Sequence, residues 1–131
     1  MSRYVGLVLI SHSYDLAYGL KMIASQVEPD VPIAIAGGTE DNDIGTSVIK
    51  IKEAIESVYS DKGVILFFDL GSALMNAELA IDMLGNPQNV KIADAPLVEG
   101  VYAAAVESGC GADLEEALKV AEQTRLLEKK I

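Results

Sequence analysis

The chain has 131 residues, half of them apolar, with twenty acidic residues against ten basic ones and a formal net charge of −10. That length and apolar content suit one folded domain that buries about two-thirds of its unfolded surface, and they exclude a disordered chain. The acid excess excludes a surface built to bind nucleic-acid phosphates. One cysteine, Cys110, rules out an intramolecular disulfide, and with a single histidine, His12, it cannot build a typical zinc site. An acidic surface keeps the protein soluble and suits a partner with a basic docking patch.

The N-terminal stretch MSRYVGLVLISHSYD contains an apolar run at 4–10. It is too short to span a bilayer and lacks a small-residue cleavage site, so neither a signal peptide nor a membrane helix is expected. A cytosolic (cytoplasmic) location follows. The run YVGLVLI reads as a strand buried on both faces. Residues 14–27 place Leu16, Leu20, Ile23 and Val27 at helical spacing. Pro29 and Pro32 bracket the exit, 33–36 forms a second short strand, and 37–45 is a loop. Thr46 or Ser47 can cap the next helix, whose stripe is Val48, Ile51, Ile55 and Val58.

After a turn at 61–63, GVILFF at 63–68 is the strongest strand signal in the chain. Asp69-Leu70-Gly71-Ser72 leads into a helix with Leu74, Ala77, Ile81 and Leu84 on its buried stripe, and Gly85-Asn86-Pro87 stops it. A weak fourth strand lies at 90–93. Two helices, 98–108 and 114–129, close the chain, separated by Gly109-Cys110-Gly111. No internal repeat, linker or low-complexity tract interrupts residues 1–131, which read as a single domain.

Strands alternating with helices imply an α/β fold with a doubly wound, mainly parallel four-stranded sheet and helices on both faces. The simplest doubly wound order for four strands is 2-1-3-4. It makes the first and third strands neighbours and sends their following helices to opposite faces. The crevice at their carboxyl ends is then the switch point where ligands sit. Two segments face it, Ser11-His12-Ser13 and Asp69-Leu70-Gly71-Ser72.

A histidine there suits phosphoryl transfer. Neutral imidazole is a nucleophile, and a carboxylate on its second nitrogen fixes the tautomer and stabilises the charge that develops. Asp69 is placed to be that carboxylate. The transferred group also needs donors, which helix-start N–H groups and the hydroxyls of Ser13 and Ser72 can supply. Taken singly, each residue has a plainer reading. A lone histidine at a strand end is often structural, Asp69 can be a turn or cap residue, and Ser13 and Ser72 can be caps. Gly37-Gly38-Thr39 fits a turn, Asp15 suits the helix dipole, and Cys110 is a bystander. There is no P-loop, no dinucleotide fingerprint and no nucleophile elbow.

The stretches GLVLISHS (6–13), GTS (45–47), FFDLGSALMNAE (67–78) and DAPLVEGVYAAAV (94–106) closely resemble the DhaM family. These are the phosphotransferase subunits of phosphoenolpyruvate (PEP)-dependent dihydroxyacetone kinases. The first stretch is shared more widely with mannose-type EIIA domains of the sugar phosphotransferase system. The resemblance implies a mannose-type EIIA-like fold, usually a homodimer. It implies that His12 takes a phosphoryl group from HPr, forming a covalent phosphohistidine, and passes it to ADP on a separate subunit, DhaL. The resulting ATP would serve DhaK, which holds dihydroxyacetone.

On this pattern Asp69 matches the acidic partner of the histidine, and Ser72, beside Gly71, falls in the phosphoryl-binding loop. No cofactor is expected on this chain, the nucleotide and its Mg²⁺ belonging to the partner. With the chain ending at Ile131, a free HPr is expected to be the donor. Two other readings compete: a sugar-system EIIA that passes phosphate to an EIIB domain, and a non-enzymatic regulatory module of the same fold. A receiver-domain reading fails, because the first strand ends in Ser-His-Ser and not in an acidic pair.

Overall fold

A computed structural model describes residues 3–130. Four strands, β1 (Gly6–Ser11), β2 (Ile33–Gly37), β3 (Val64–Phe68) and β4 (Val90–Ile92), form one sheet in the order β2-β1-β3-β4. Every pairing is parallel. The helices are α1 (Tyr14–Val27), α2 (Val48–Val58), α3 (Ser72–Met83), α4 (Leu97–Gly109) and α5 (Leu114–Gln123), followed by a 3₁₀ turn at Thr124–Leu126. The doubly wound architecture and strand order therefore match the expectation from the sequence.

The strand side chains alternate between two cores. Leu7, Leu9, Ile65 and Phe67 pack with α1, α4 and α5 on one face. Val8, Ile10, Val64 and Leu66 pack with α2 and α3 on the other. Both central strands are thus buried on both sides, which is why their sequences are continuous apolar runs and do not alternate. The helices after β1 and β3 lie on opposite faces, so the crevice between these strands opens at their carboxyl ends.

The expected first strand begins too early. Ladder pairing starts at Gly6 and runs to Ser11, which pairs with Gly37. The expected stripe of α2 holds, with Ile51 and Ile55 buried and Val48 and Val58 packed against the same core, and Leu20 and Ala77 are buried as expected, but the rest of the α1 and α3 stripes differ. On α1 the buried residues are Ala17, Leu20 and Ala24, while Leu16, Ile23 and Val27 stay substantially exposed. On α3 the sheet-facing residues are Ala73, Ala77 and Ala80, with Leu74, Ile81 and Leu84 half-buried at the flanks. Small residues let a helix backbone approach the sheet closely, so alanines occupy the line of contact and larger side chains move to its edges.

The last helix is shorter than the expected 114–129. It ends at Gln123, where the Thr124 hydroxyl donates to the Ala121 carbonyl and the chain tightens into the 3₁₀ turn. Leu126 and Leu127 are exposed, so no buried face holds further helical turns in place.

The loop between β2 and α2 folds back over the carboxyl end of β1. Gly38 donates its N–H to the Ser11 carbonyl at 3.0 Å, and Gly45 donates to the His12 carbonyl at 2.9 Å. Gly37 permits the close approach that this needs. A Cβ there would come within 2.7 Å of the Tyr14 Cα. Ser47 caps α2 by accepting from the Lys50 N–H, which leaves the Thr46 side chain uncommitted to capping.

Candidate active site

The β1–β3 register sets Ile10 beside Phe68, so the next residues, Ser11-His12 and Asp69, leave the sheet side by side. Asp69 is the hub of the site. Its Oδ2 accepts from the His12 backbone N–H and from the Ser11 hydroxyl, each at 2.9 Å. Its Oδ1 faces the His12 Nδ1 at 2.9 Å and accepts from the Leu70 N–H at 2.7 Å. The Ser11 hydroxyl in turn accepts from the Ser13 N–H at 3.0 Å. Each carboxylate oxygen thus has two donors, which is all that its lone pairs accommodate in the carboxylate plane.

This arrangement decides the ionisation of Asp69. Partial burial on its own raises the carboxyl pKa. The His12 N–H, the His12 ring, the Ser11 hydroxyl and the Leu70 N–H together outweigh it and hold Asp69 below the ordinary carboxylate value. An ionised carboxylate only accepts, so the proton of a neutral His12 ring sits on Nδ1. Nε2 then carries the lone pair. It lies 2.8 Å from the Ser72 Oγ, on the solvent side of the site. The His12 side chain keeps 22% of its surface exposed, enough for an incoming group to reach Nε2.

The two helix starts differ. Ser13 caps α1 by accepting from the Leu16 N–H at 3.3 Å, which leaves its own O–H free to donate. Gly71 is the N-cap of α3 and offers no side chain, and the Ser72 hydroxyl turns to His12. The Ala73 and Leu74 N–H groups bond back to the Leu70 and Gly71 carbonyls. Those of Gly71 and Ser72 have no hydrogen-bond partner among the described residues. They lie at the positive end of the α3 dipole, in the turn whose Ser72 hydroxyl meets Nε2.

His12, Asp69 and Ser72 are therefore brought together, with Gly71 at their edge and Ser13 next in sequence to His12 as the cap of α1. Sequence reasoning did not single out Ser11 as a site residue. Its signal is a polar side chain at the last position of an otherwise apolar, fully buried strand. Gly45 was also missed as the residue whose N–H fixes the His12 carbonyl, because the contact crosses from a loop with no pattern of its own.

The sequence matches the family model described as PTS system fructose IIA component (EIIA-man) over residues 6–118. A PEP-dependent dihydroxyacetone kinase phosphoryl donor subunit, DhaM, of Listeria innocua is 46% identical over 107 residues, covering 82% of this chain and 84% of that one. The chain belongs to the DhaM family of mannose-type EIIA domains. The Lactococcus lactis DhaM is 38% identical, covering 95% of this chain and 98% of its own. DhaM proteins of Pantoea ananatis and Escherichia coli are longer, and this chain spans about a quarter of each, at 43% and 42% identity over 89% and 87% of this chain. Among solved structures, a protein of unknown function superposes with a TM-score of 0.82 at 35% identity, covering 92% of this chain and 94% of that one. A mannose/sorbose-specific IIA subunit from Enterococcus faecalis shares the fold, with a TM-score of 0.53 at 17% identity over 98% and 96% of the two chains. No helix among the described residues is long and apolar enough to cross a membrane.

Proposed function

We propose that this chain is the phosphocarrier of a PEP-dependent dihydroxyacetone kinase, accepting a phosphoryl group on Nε2 of His12. The observation that carries this reading is the pairing of His12 Nδ1 with the ionised Asp69, which leaves Nε2 as the exposed nucleophile. The relatives' role as phosphoryl donor subunits supports it.

The donor is a phosphohistidine carrier of the HPr type. Nε2 attacks its phosphorus in line, the new N–P bond forms as the donor's N–P bond breaks, and the donor imidazole leaves with the electron pair. The His12 ring becomes cationic while keeping its Nδ1 proton, and Asp69 stabilises that charge without taking the proton. The Ser72 hydroxyl turns from Nε2 to a phosphoryl oxygen, and the Gly71 and Ser72 N–H groups hold the others. Discharge reverses these events. A terminal oxygen of ADP on a DhaL-type subunit attacks phosphorus, the N–P bond breaks, and its electrons return to Nε2. The ATP formed there, with its Mg²⁺, serves a DhaK-type subunit that holds dihydroxyacetone.

Among the described residues, the hydrogen-bond partners of His12 are Asp69, Ser72 and Gly45. The acidic surface favours donor and acceptor proteins that bring basic rims of their own. We also propose a cytoplasmic homodimer, following the family pattern.

The test is intact mass after incubation with phosphoenolpyruvate, enzyme I and HPr, then with the ADP-loaded subunit. The expected result is one added phosphoryl group, acid-labile, absent in His12→Ala, and lost on adding the ADP-loaded subunit. Discharge to an EIIB domain alone would move the chain to a sugar pathway. No mass gain at all would make it an interaction module.

A further inference from the structure

His12 is held from a second direction, one that takes no part in the bond-making at Nε2. Asn76 lies one turn after Ser72 on α3, so their side chains share a helix face. The Asn76 Nδ2 donates to the Thr46 Oγ1 at 2.6 Å, across thirty residues of sequence. Thr46 directly follows Gly45, whose N–H holds the His12 carbonyl at 2.9 Å. Ser72 meets the His12 Nε2 at 2.8 Å. These contacts form a closed circuit running from the His12 carbonyl through Gly45, Thr46, Asn76 and Ser72 back to the His12 ring.

The far side of the same loop is fastened independently. The Lys50 ammonium donates to the Gly37 carbonyl at 2.9 Å and to the Asn42 side chain. Among the described residues, the Thr46–Asn76 bond is the only side-chain hydrogen bond that joins the loop's near end to α3. Both residues are half-buried, so neither is a freely solvated surface pair. The sheet side of His12 is fixed by Asp69, while the open side depends on α3 and the loop keeping a constant separation.

We infer that Thr46 and Asn76 are a positioning pair, which locks the β2–α2 loop to α3 so that the backbone and the Nε2 side of His12 are gripped together. The inference rests on the proposed phosphocarrier role only for its kinetic arm. Without the bond, Gly45 and Ser72 move independently, and the Ser72 hydroxyl no longer stays on Nε2. Displacements of about an ångström at a reacting centre can cost about a hundred-fold in rate.

The experiment uses the full chain with Thr46→Val, Thr46→Ser, Asn76→Ala and the Thr46→Val/Asn76→Ala double variant. Two quantities are read: the single-turnover rate of phosphoryl acceptance from HPr, and the ring-nitrogen shifts of ¹⁵N-labelled His12 in the unphosphorylated protein. Thr46→Val and Asn76→Ala are each expected to slow acceptance about ten- to a hundred-fold. The double variant should be no slower than the worse single, as for two halves of one contact. Thr46→Ser should restore most of the rate. The Nε2 resonance should move toward that of an imidazole without a donor, while Nδ1, still on Asp69, moves less.

Unchanged rates and unmoved ring shifts would overturn the inference. So would a rate loss that follows only the thermal unfolding midpoint and is not rescued by Thr46→Ser. If the wild-type chain accepts no phosphoryl group, the functional reading fails and the ring shifts alone decide. Moved Nε2 shifts then support the pair, and unmoved ones overturn it.

Discussion

The carboxylate of Asp69 grips His12 twice, taking the backbone N–H on one oxygen and facing the ring Nδ1 with the other, both at 2.9 Å. The two contacts do different things. The backbone bond fixes where the residue leaves β1, and the ring bond fixes its tautomer and the direction of Nε2. One side chain at the end of β3 thereby sets both the position and the tautomer of His12 at the end of β1. The parallel β1–β3 pairing that makes this possible is the central feature of the sheet order.

Asp69→Asn tests the grip. An amide nitrogen cannot accept from the His12 N–H or the Ser11 hydroxyl, and an amide cannot stabilise a cationic ring as a carboxylate does. Phosphoryl acceptance should fall about a hundred-fold or more, while circular dichroism stays that of a folded protein. The measurement is single-turnover phosphorylation followed by intact mass. A variant rate equal to wild type would remove Asp69 from the mechanism.

Asp69 also links stability to pH. Its folded pKa lies below the ordinary value of 3.8, because the hydrogen bonds from His12, Ser11 and Leu70 outweigh the opposing effect of burial. A depressed folded pKa means that the unfolded chain takes up the proton first. The contribution is fully present above the unfolded value and is lost as pH falls through the folded one. Urea midpoints of wild type and Asp69→Asn, compared between about pH 5 and about pH 2, should lie apart at the upper end and converge toward the lower end. A gap that widens in acid would contradict the sign.

Much of this site was legible in the sequence, for a physical reason. A strand buried on both faces is a continuous apolar run, so its end is conspicuous, and His12 and Asp69 each stand just past such an end. The helix faces were less legible. Periodicity finds apolar residues, but the contact line of α1 is set by Ala17 and Ala24, and that of α3 by Ala73, Ala77 and Ala80. Of the expected stripes Leu20 and Ala77 are buried, while Leu16 and Ile23 on α1 and Leu74 and Ile81 on α3 lie at the margin or in solvent. The Thr46–Asn76 and Gly45–His12 contacts join residues 30 or more apart, and no local pattern announces them. Thr46 in particular reads as one of two candidate caps, and Ser47, the other, is the one that caps α2.

Ser11 gives a stability prediction. Its side chain is buried, donates to Asp69 and accepts from the Ser13 N–H. Ser11→Ala leaves the Ser13 N–H without that acceptor and Asp69 with one donor fewer, in a place with little room for water. The loss should be about 1–3 kcal/mol in urea unfolding. The pH at which stability declines in acid should rise, because one of the bonds that depress the Asp69 pKa is gone. No change in either quantity would show that the Ser11 hydroxyl is dispensable to the network.

Ser72 separates chemistry from folding. Its hydroxyl contacts the His12 Nε2 and makes no capping bond for α3, and the residue is exposed. Ser72→Ala should therefore leave the unfolding free energy within about 0.5 kcal/mol of wild type. Phosphoryl acceptance should nevertheless slow about ten- to a hundred-fold, the scale of one hydrogen bond to a charged oxygen. Ser72→Thr keeps a hydroxyl and should recover part of the rate. The discriminating measurement is the level of phosphohistidine at equilibrium with phospho-HPr. If the hydroxyl holds the transferred group, Ser72→Ala lowers that level as well as the rate. If it only orients the ring before attack, the rate falls and the level stays. A rate and a level both equal to wild type would remove the Ser72 hydroxyl from the donors to the phosphoryl oxygens.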